Sequence, residues 1–151
     1  MAGPMGFSAP GRKTELIGGS GGSTFFTARG AQPVLGFVYR PASWAGKQAL
    51  GLLEPFYQRN APSALQSVVA KEGYAVGGLI VDAQEYVSAV KVVFVRLQAD
   101  GRPNPADTYT SDWIGHPTGG PTRTLDAKGA KVIGVHGRRA AVLDAIGLLL
   151  E

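Results

Sequence analysis

Three stretches of this chain share one pattern. Val34 opens VLGFVYRPASWAGKQALGLLEPF, Ala75 opens AVGGLIVDAQEYVSAVKVVFVRL, and Val132 opens VIGVHGRRAAVLDAIGLLL. Each places an apolar residue before a glycine (Gly36, Gly77 or Gly134), and each later carries alanine followed by apolar–x–apolar–apolar, at Ala49, Ala89 and Ala145. The similar gap from glycine to alanine fits two short antiparallel strands joined by a turn. A further strand candidate precedes each unit: TELIGG from Thr14, SVVAKEGY from Ser67 and TRTLDAKG from Thr122. A unit this short cannot bury its own apolar face, so three copies imply three small sheets sharing one core. Period-two alternation then turns Leu50, Leu52, Val90, Val92, Ile146 and Leu148 inward.

The length, 151 residues, fits one domain with a sizeable core. Its 22 glycines and 10 prolines favour frequent turns over long helices, which agrees with an all-β chain. Residues 1–12 are rich in Gly, Pro, Ser and Ala and are expected to form a flexible arm, leaving 13–151 as the domain. Glycine pairs recur at Gly18-Gly19, Gly21-Gly22, Gly77-Gly78 and Gly119-Gly120. The third unit follows a long insertion, QADGRPNPADTYTSDWIGHPTGGP from Gln98, in which Pro103, Pro105, Pro117 and Pro121 argue against regular structure. Its Tyr109 and Trp113 are expected to pack against the body, with sugar stacking as the alternative. A second irregular connection covers 54–66, with a helical turn expected from Pro62 to Gln66.

Several function classes are disfavoured. Cysteine is absent, which removes disulfides and thiolate metal sites, and only His116 and His136 offer imidazole. The formal charge is +4, but the basic residues are scattered and Arg138-Arg139 is the longest basic run, which argues against nucleic-acid binding. No apolar run has the length of a membrane span, and the start of the chain lacks a signal-peptide core, so the expectation is a cytoplasmic protein. No nucleophile and base stand at a recognisable spacing. Asp82, Asp107, Asp112 and Asp126 are scattered and form no paired-carboxylate motif. The chain is expected to be neither an enzyme nor a cofactor binder.

One carboxylate stands out. Asp144 interrupts the apolar end of the third unit, where the second unit has Ser88 and the first has Gln48. All three are polar, so the slot reads as lying outside the deep core. From the residues alone, Asp144 is either a solvated turn residue or a ligand group.

GGSGG from Gly18, YTSDWIG from Tyr109 and above all VIGVHGRRAAVLDAIGLLL resemble the jacalin-related lectins, whose members end in a segment like I-V-G-F-H-G-R-S-G-x-x-L-D-A-I-G-x-x-L. The resemblance runs in order through residues 14–151. It implies a β-prism I fold, three Greek-key four-stranded sheets with pseudo-threefold symmetry, and non-catalytic binding of mannose- or glucose-type glycans. It places the sugar site between the N-terminal Gly-pair loop and the loop before the last strand. Gly21 and Gly22 would bring backbone N–H groups to the sugar, Ala141 and Val142 would donate further N–H groups, and Asp144 would accept from two hydroxyls. Two residues depart from the pattern: Ala140 replaces a family glycine, and Ala141 stands where mannose-binding members often have Asp. Arg138 and Arg139 are either solvated turn residues or an attraction for acidic glycans. Weak single sites imply a homo-oligomer. The alternatives are a structural or self-assembly prism that has lost the sugar site, and a basic module binding sulfated or acidic polyanions.

Overall fold

The computed structural model describes residues 12–60 and 66–151. Most of the expected arm over 1–12, and the helical turn expected at Pro62 to Gln66, lie outside the described residues; Arg12 and Gln66 themselves sit in strands. The described residues form strands and no helix. In chain order these are β1 (Arg12–Lys13), β2 (Ile17–Gly18), β3 (Ser23–Ala28), β4 (Gly36–Trp44), β5 (Lys47–Phe56) and β6 (Gln66–Val69). They continue as β7 (Tyr74–Ala83), β8 (Val87–Leu97), β9 (Pro103–Thr110), β10 (Ile114–Gly115), β11 (Arg123–Asp126), β12 (Val132–Arg139) and β13 (Leu143–Leu150).

Each repeated unit is one antiparallel hairpin: β4–β5, β7–β8 and β12–β13. A shorter strand flanks the first arm of each, β6 on β4, β11 on β7 and β3 on β12. The outer edge of β13 is covered by β1 and β2, and that of β8 by β9 and β10, so each of those edges is a single interrupted strand. The three sheets close on one core that includes Phe37, Leu50, Val90, Phe94, Ile146 and Leu148. At the end where β4, β7 and β12 begin, backbone hydrogen bonds tie the sheets together. Val34 N–H donates to the Val132 carbonyl, and Val76 N–H donates to the Val34 carbonyl. All three hairpin turns therefore gather at the opposite end.

The repeat has a steric signature. A Cβ on Gly36 would collide with the Val68 carbonyl, one on Gly78 with that of Leu125, and one on Gly134 with that of Thr27. In every sheet a glycine lets the flanking strand approach. The equivalent glycine of the second unit is thus Gly78, and Gly77 is the extra residue of a bulge between Val76 and Gly78. Ala49, Ala89 and Ala145 are all buried, as are Leu50, Val90, Val92, Ile146 and Leu148. Leu52 departs from the expected inward set. Arg40 faces Leu52 and Pro41 faces Leu50, so Gly51 is an unpaired bulge residue that reverses the alternation. Leu53 takes the inward place at 2% exposure, and Leu52 is half-buried.

The insertion is more regular than its prolines suggest. β9 contains both Pro103 and Pro105 because it lies on the edge of its sheet, where a missing N–H costs no ladder bond. Val95 pairs with Thr108 and Arg96 with Asn104, which leaves Pro105 in the bulge between them. Tyr109 does pack on the body, stacked on Phe94 at 5.0 Å and edge-on to Tyr74 at 5.0 Å. The Lys91 ammonium lies 5.0 Å from the Trp113 ring.

His136 fastens the first strand. Its Nε2 lies 3.0 Å from the Thr14 carbonyl, reaching over Gly147, where any Cβ would strike the imidazole. Burial pushes the His136 pKa below the ordinary 6.5, with the Lys13 charge acting the same way and the Thr14 bond opposing both. The unfolded chain then takes up this proton at higher pH than the folded one. Stability should therefore be intact above the ordinary histidine value and fall as pH drops from about 6.5 through the lowered folded value. Urea unfolding of the protein and of His136→Gln at pH 7.5 and 5 checks this: the wild type should lose more stability on acidification than the variant.

Candidate functional site

The third unit turns through 140–142, and its pairing is irregular just there. Arg138 faces Ala145 and Arg139 faces Leu143, so Asp144 is the unpaired residue of a β-bulge. Bulges redirect a side chain that a regular strand would point at the core. The second unit has the same defect: Asp82 faces Ala89 and Ala83 faces Val87, leaving Ser88 as its bulge residue. In the first unit Gln48 pairs regularly with Ser43. Ser88 is 5% exposed, so this slot is buried in one unit, contrary to the expectation from its polarity.

A glycine-rich loop lies over Asp144. Gly18 pairs with Ala145, and Gly19 N–H donates to the Asp144 carbonyl at 2.8 Å. A Cβ on Gly21 would lie 2.9 Å from Asp144 Oδ1, and one on Gly22 would lie 2.5 Å from Oδ2 and 2.7 Å from the Arg139 backbone. Gly22 has φ +74°, a conformation that favours glycine. The sequence therefore leaves side chains out where the loop backbone must meet the carboxylate. Asp144 Oδ2 is buried and has no hydrogen-bond partner. A buried acceptor without a donor is destabilising by roughly 1–3 kcal/mol.

A cavity of about 600 Å³ opens at this point, bounded by Gly19–Gly22, Ala140–Val142 and Asp144. All six sequence-derived site residues, Gly21, Gly22, Ala140, Ala141, Val142 and Asp144, line it. Ala140 N–H donates to the Val142 carbonyl at 3.0 Å, which engages that donor in the turn itself. Ala45 and Lys128 are the non-glycine residues with positive φ among the described residues, so Ala140 fits its turn without left-handed strain.

Arg138 has a role that its charge alone did not reveal. Its Nε donates to the Gly21 carbonyl at 2.9 Å and its Nη2 to the Gly22 carbonyl at 2.8 Å, bracing the loop from below. The Arg139 guanidinium lies 5.1 Å from the Phe25 ring. The cavity also borrows Trp44 and Gln84–Tyr86 from the other two sheets. None of these is marked by a motif; the signal was only their place in the turns of the sister units.

Three of the scattered carboxylates have separate partners. Asp82 accepts from Thr118 N–H at 2.6 Å, and Asp126 accepts from Lys128 N–H at 2.8 Å. Asp107 binds Tyr74 and Arg96, whose hydrogen bonds hold its carboxyl below the usual range. Among the described residues no three His, Cys, Asp or Glu side chains are grouped so as to hold a metal ion. No described helix is long and apolar enough to cross a membrane.

No protein-family model matches the chain, and no curated protein sequence matches it. Solved structures do. Artocarpin, described as a lectin with mannose specificity, superposes with a TM-score of 0.63 at 14% identity, over 95% of this chain and 99% of its own. A mannose-specific jacalin-related lectin from Morus nigra, solved with mannose, gives 0.53 at 16% identity over 99% of both chains. Calsepa lectin, in complex with a bisected glycan, gives 0.59 at 11% identity, over 93% of this chain and 97% of its own. The fold is the β-prism of the jacalin-related lectins. In β-prism terms, the cavity above Asp144 lies at the end of the prism where the three hairpin turns meet.

Proposed function

We propose that this β-prism protein is a non-catalytic lectin for mannose- or glucose-type glycans, bound above Asp144. The observation that carries the reading is the Asp144 carboxylate, displaced by a bulge into a cavity and left with an unpartnered buried oxygen. Vicinal sugar hydroxyls are paired donors, and a charged acceptor makes stronger hydrogen bonds than a neutral one. Gly21 and Gly22, with no side chains, and the N–H groups of Ala141 and Val142 supply the complementary donors. Ala140 shapes the turn. Ala141 adds no carboxylate of its own, so Asp144 is the acidic group between the Gly loop and the 140–142 turn. The mannose recognition named for artocarpin and the Morus nigra lectin supports the choice of sugar. Arg138 and Arg139 are spent on the Gly loop and on Phe25, which favours a neutral glycan over a polyanion.

One hexose buries little surface, so each site should bind in the millimolar range, on the order of −4 kcal/mol. Useful avidity then requires several linked sites, and we place the chain in a homo-oligomer. A glycan array at physiological salt tests the reading. Binding to mannose- or glucose-terminated glycans, competed by free methyl α-mannoside, is the expected result. An empty array would point to a purely structural prism. Hits confined to sulfated glycans and lost with added salt would point to a polyanion binder.

A further inference from the structure

The cavity above Asp144 is larger than one hexose needs. At about 30 Å³ of liquid volume per water molecule, its roughly 600 Å³ exceeds what the dozen or so heavy atoms of a hexose fill. The extra space is walled by the turns of the other two sheets. The β7–β8 turn is pressed against the Gly loop: a Cβ on Gly19 would collide with the Glu85 carbonyl, so this wall is fixed to the site. Trp44, at the end of β4, completes the wall. A second hollow of about 210 Å³, lined by Lys47, Ser88 and Thr118 among others, also borders Trp44 and the 84–86 turn, so these residues are shared by the two.

Trp44 is 54% exposed, one of three large apolar side chains at the surface of the described residues. The other two, Leu16 and Phe26, line neither hollow. Its turn also differs from its two counterparts. Trp44 pairs with Lys47 across a two-residue turn in which Ala45 has φ 53° and Gly46 has φ 80°. Both central residues are left-handed, the type I′ arrangement, and alanine is unfavourable there. A tight turn with a residue in an unfavourable conformation, carrying an exposed tryptophan, is the kind of feature that persists where the position of a side chain matters.

We propose that Trp44 is the stacking platform for a second sugar ring, so that the site takes a disaccharide or longer glycan laid from Asp144 past the β7–β8 turn onto the indole. The inference rests on the lectin reading above and adds its ligand class. A pyranose presents one face of C–H groups, and a flat indole covers that face while losing few rotamers. Neutral oligosaccharides with a second ring are therefore preferred over the monosaccharide.

Calorimetric titration of the wild type, Trp44→Ala and Trp44→Phe with methyl α-mannoside and a set of mannobioses of different linkage tests this. The wild type should bind at least one mannobiose about tenfold more tightly than the monosaccharide, the scale of one good aromatic contact. Trp44→Ala should lose that gain and keep its monosaccharide affinity within about twofold, and Trp44→Phe should keep most of the gain. A wild type that binds the monosaccharide with no gain for any mannobiose overturns the Trp44 platform and leaves the lectin reading standing. So does a Trp44→Ala protein that retains the full gain, or one that loses both sugars equally. A wild type that binds neither sugar overturns both.

Discussion

Asp144→Ala should abolish detectable monosaccharide binding and leave the melting temperature unchanged or slightly raised. A charged hydrogen-bond partner contributes about 1.5–3 kcal/mol, and one sugar on one site has little more than −4 kcal/mol to lose from. The stability half of the expectation follows from the orphaned oxygen. Oδ2 is buried without a donor, so the fold is holding an unsatisfied acceptor, and its removal relieves that cost. A turn-capping aspartate would behave in the opposite way, losing stability and no ligand. Ser88→Ala and Gln48→Ala, at the corresponding places in the sister units, should leave sugar binding intact. Titration with methyl α-mannoside and thermal unfolding of all three variants decide it. Undiminished binding by Asp144→Ala would remove the site assignment while leaving the prism untouched.

Phe94→Ala should cost about 3–5 kcal/mol of folding stability, a large share of the roughly 5–15 kcal/mol that holds a domain together. Phe94 is 1% exposed within the shared core. Its ring stacks on Tyr109, which in turn meets Tyr74 and accepts a hydrogen bond from Lys71 N–H at 2.7 Å. Truncation therefore opens a cavity and also frees the edge strand β9. In a chain of this length the melting temperature should fall by about 10 °C or more. Phe94 lies several residues along β8 from the 84–86 turn, about 20 Å away at strand spacing, so the folded fraction should keep its sugar affinity. A loss below about 1 kcal/mol would show that the insertion and core are not packed as one unit.

The repeat, its all-β character, the inward places of Leu50, Val90, Val92, Ile146 and Leu148, and the oddity of Asp144 were legible because they depend on short-range periodicity and on comparison of the units. Two departures from the sequence pattern are shifts of one residue. Gly77 was matched in place of Gly78, and Leu52 was turned inward in place of Leu53. Both errors sit beside a bulge, and a single extra residue reverses every following side chain without changing composition or pattern.

The polar slot itself was visible in the sequence, but what sets it in a cavity was not. The bulge that frees Asp144, the Arg138 bonds to the Gly21 and Gly22 carbonyls, and the approach of Glu85 to Gly19 each join residues more than five positions apart or depend on exact register. Trp44 lies 100 positions before Asp144 and shares its cavity only because three hairpins point the same way around one core. The sequence by itself determined that three hairpins form and, away from the bulges, which faces they bury, since those are properties of each segment. Only closure of the prism decided which turns meet, and with them the composition and size of the pocket.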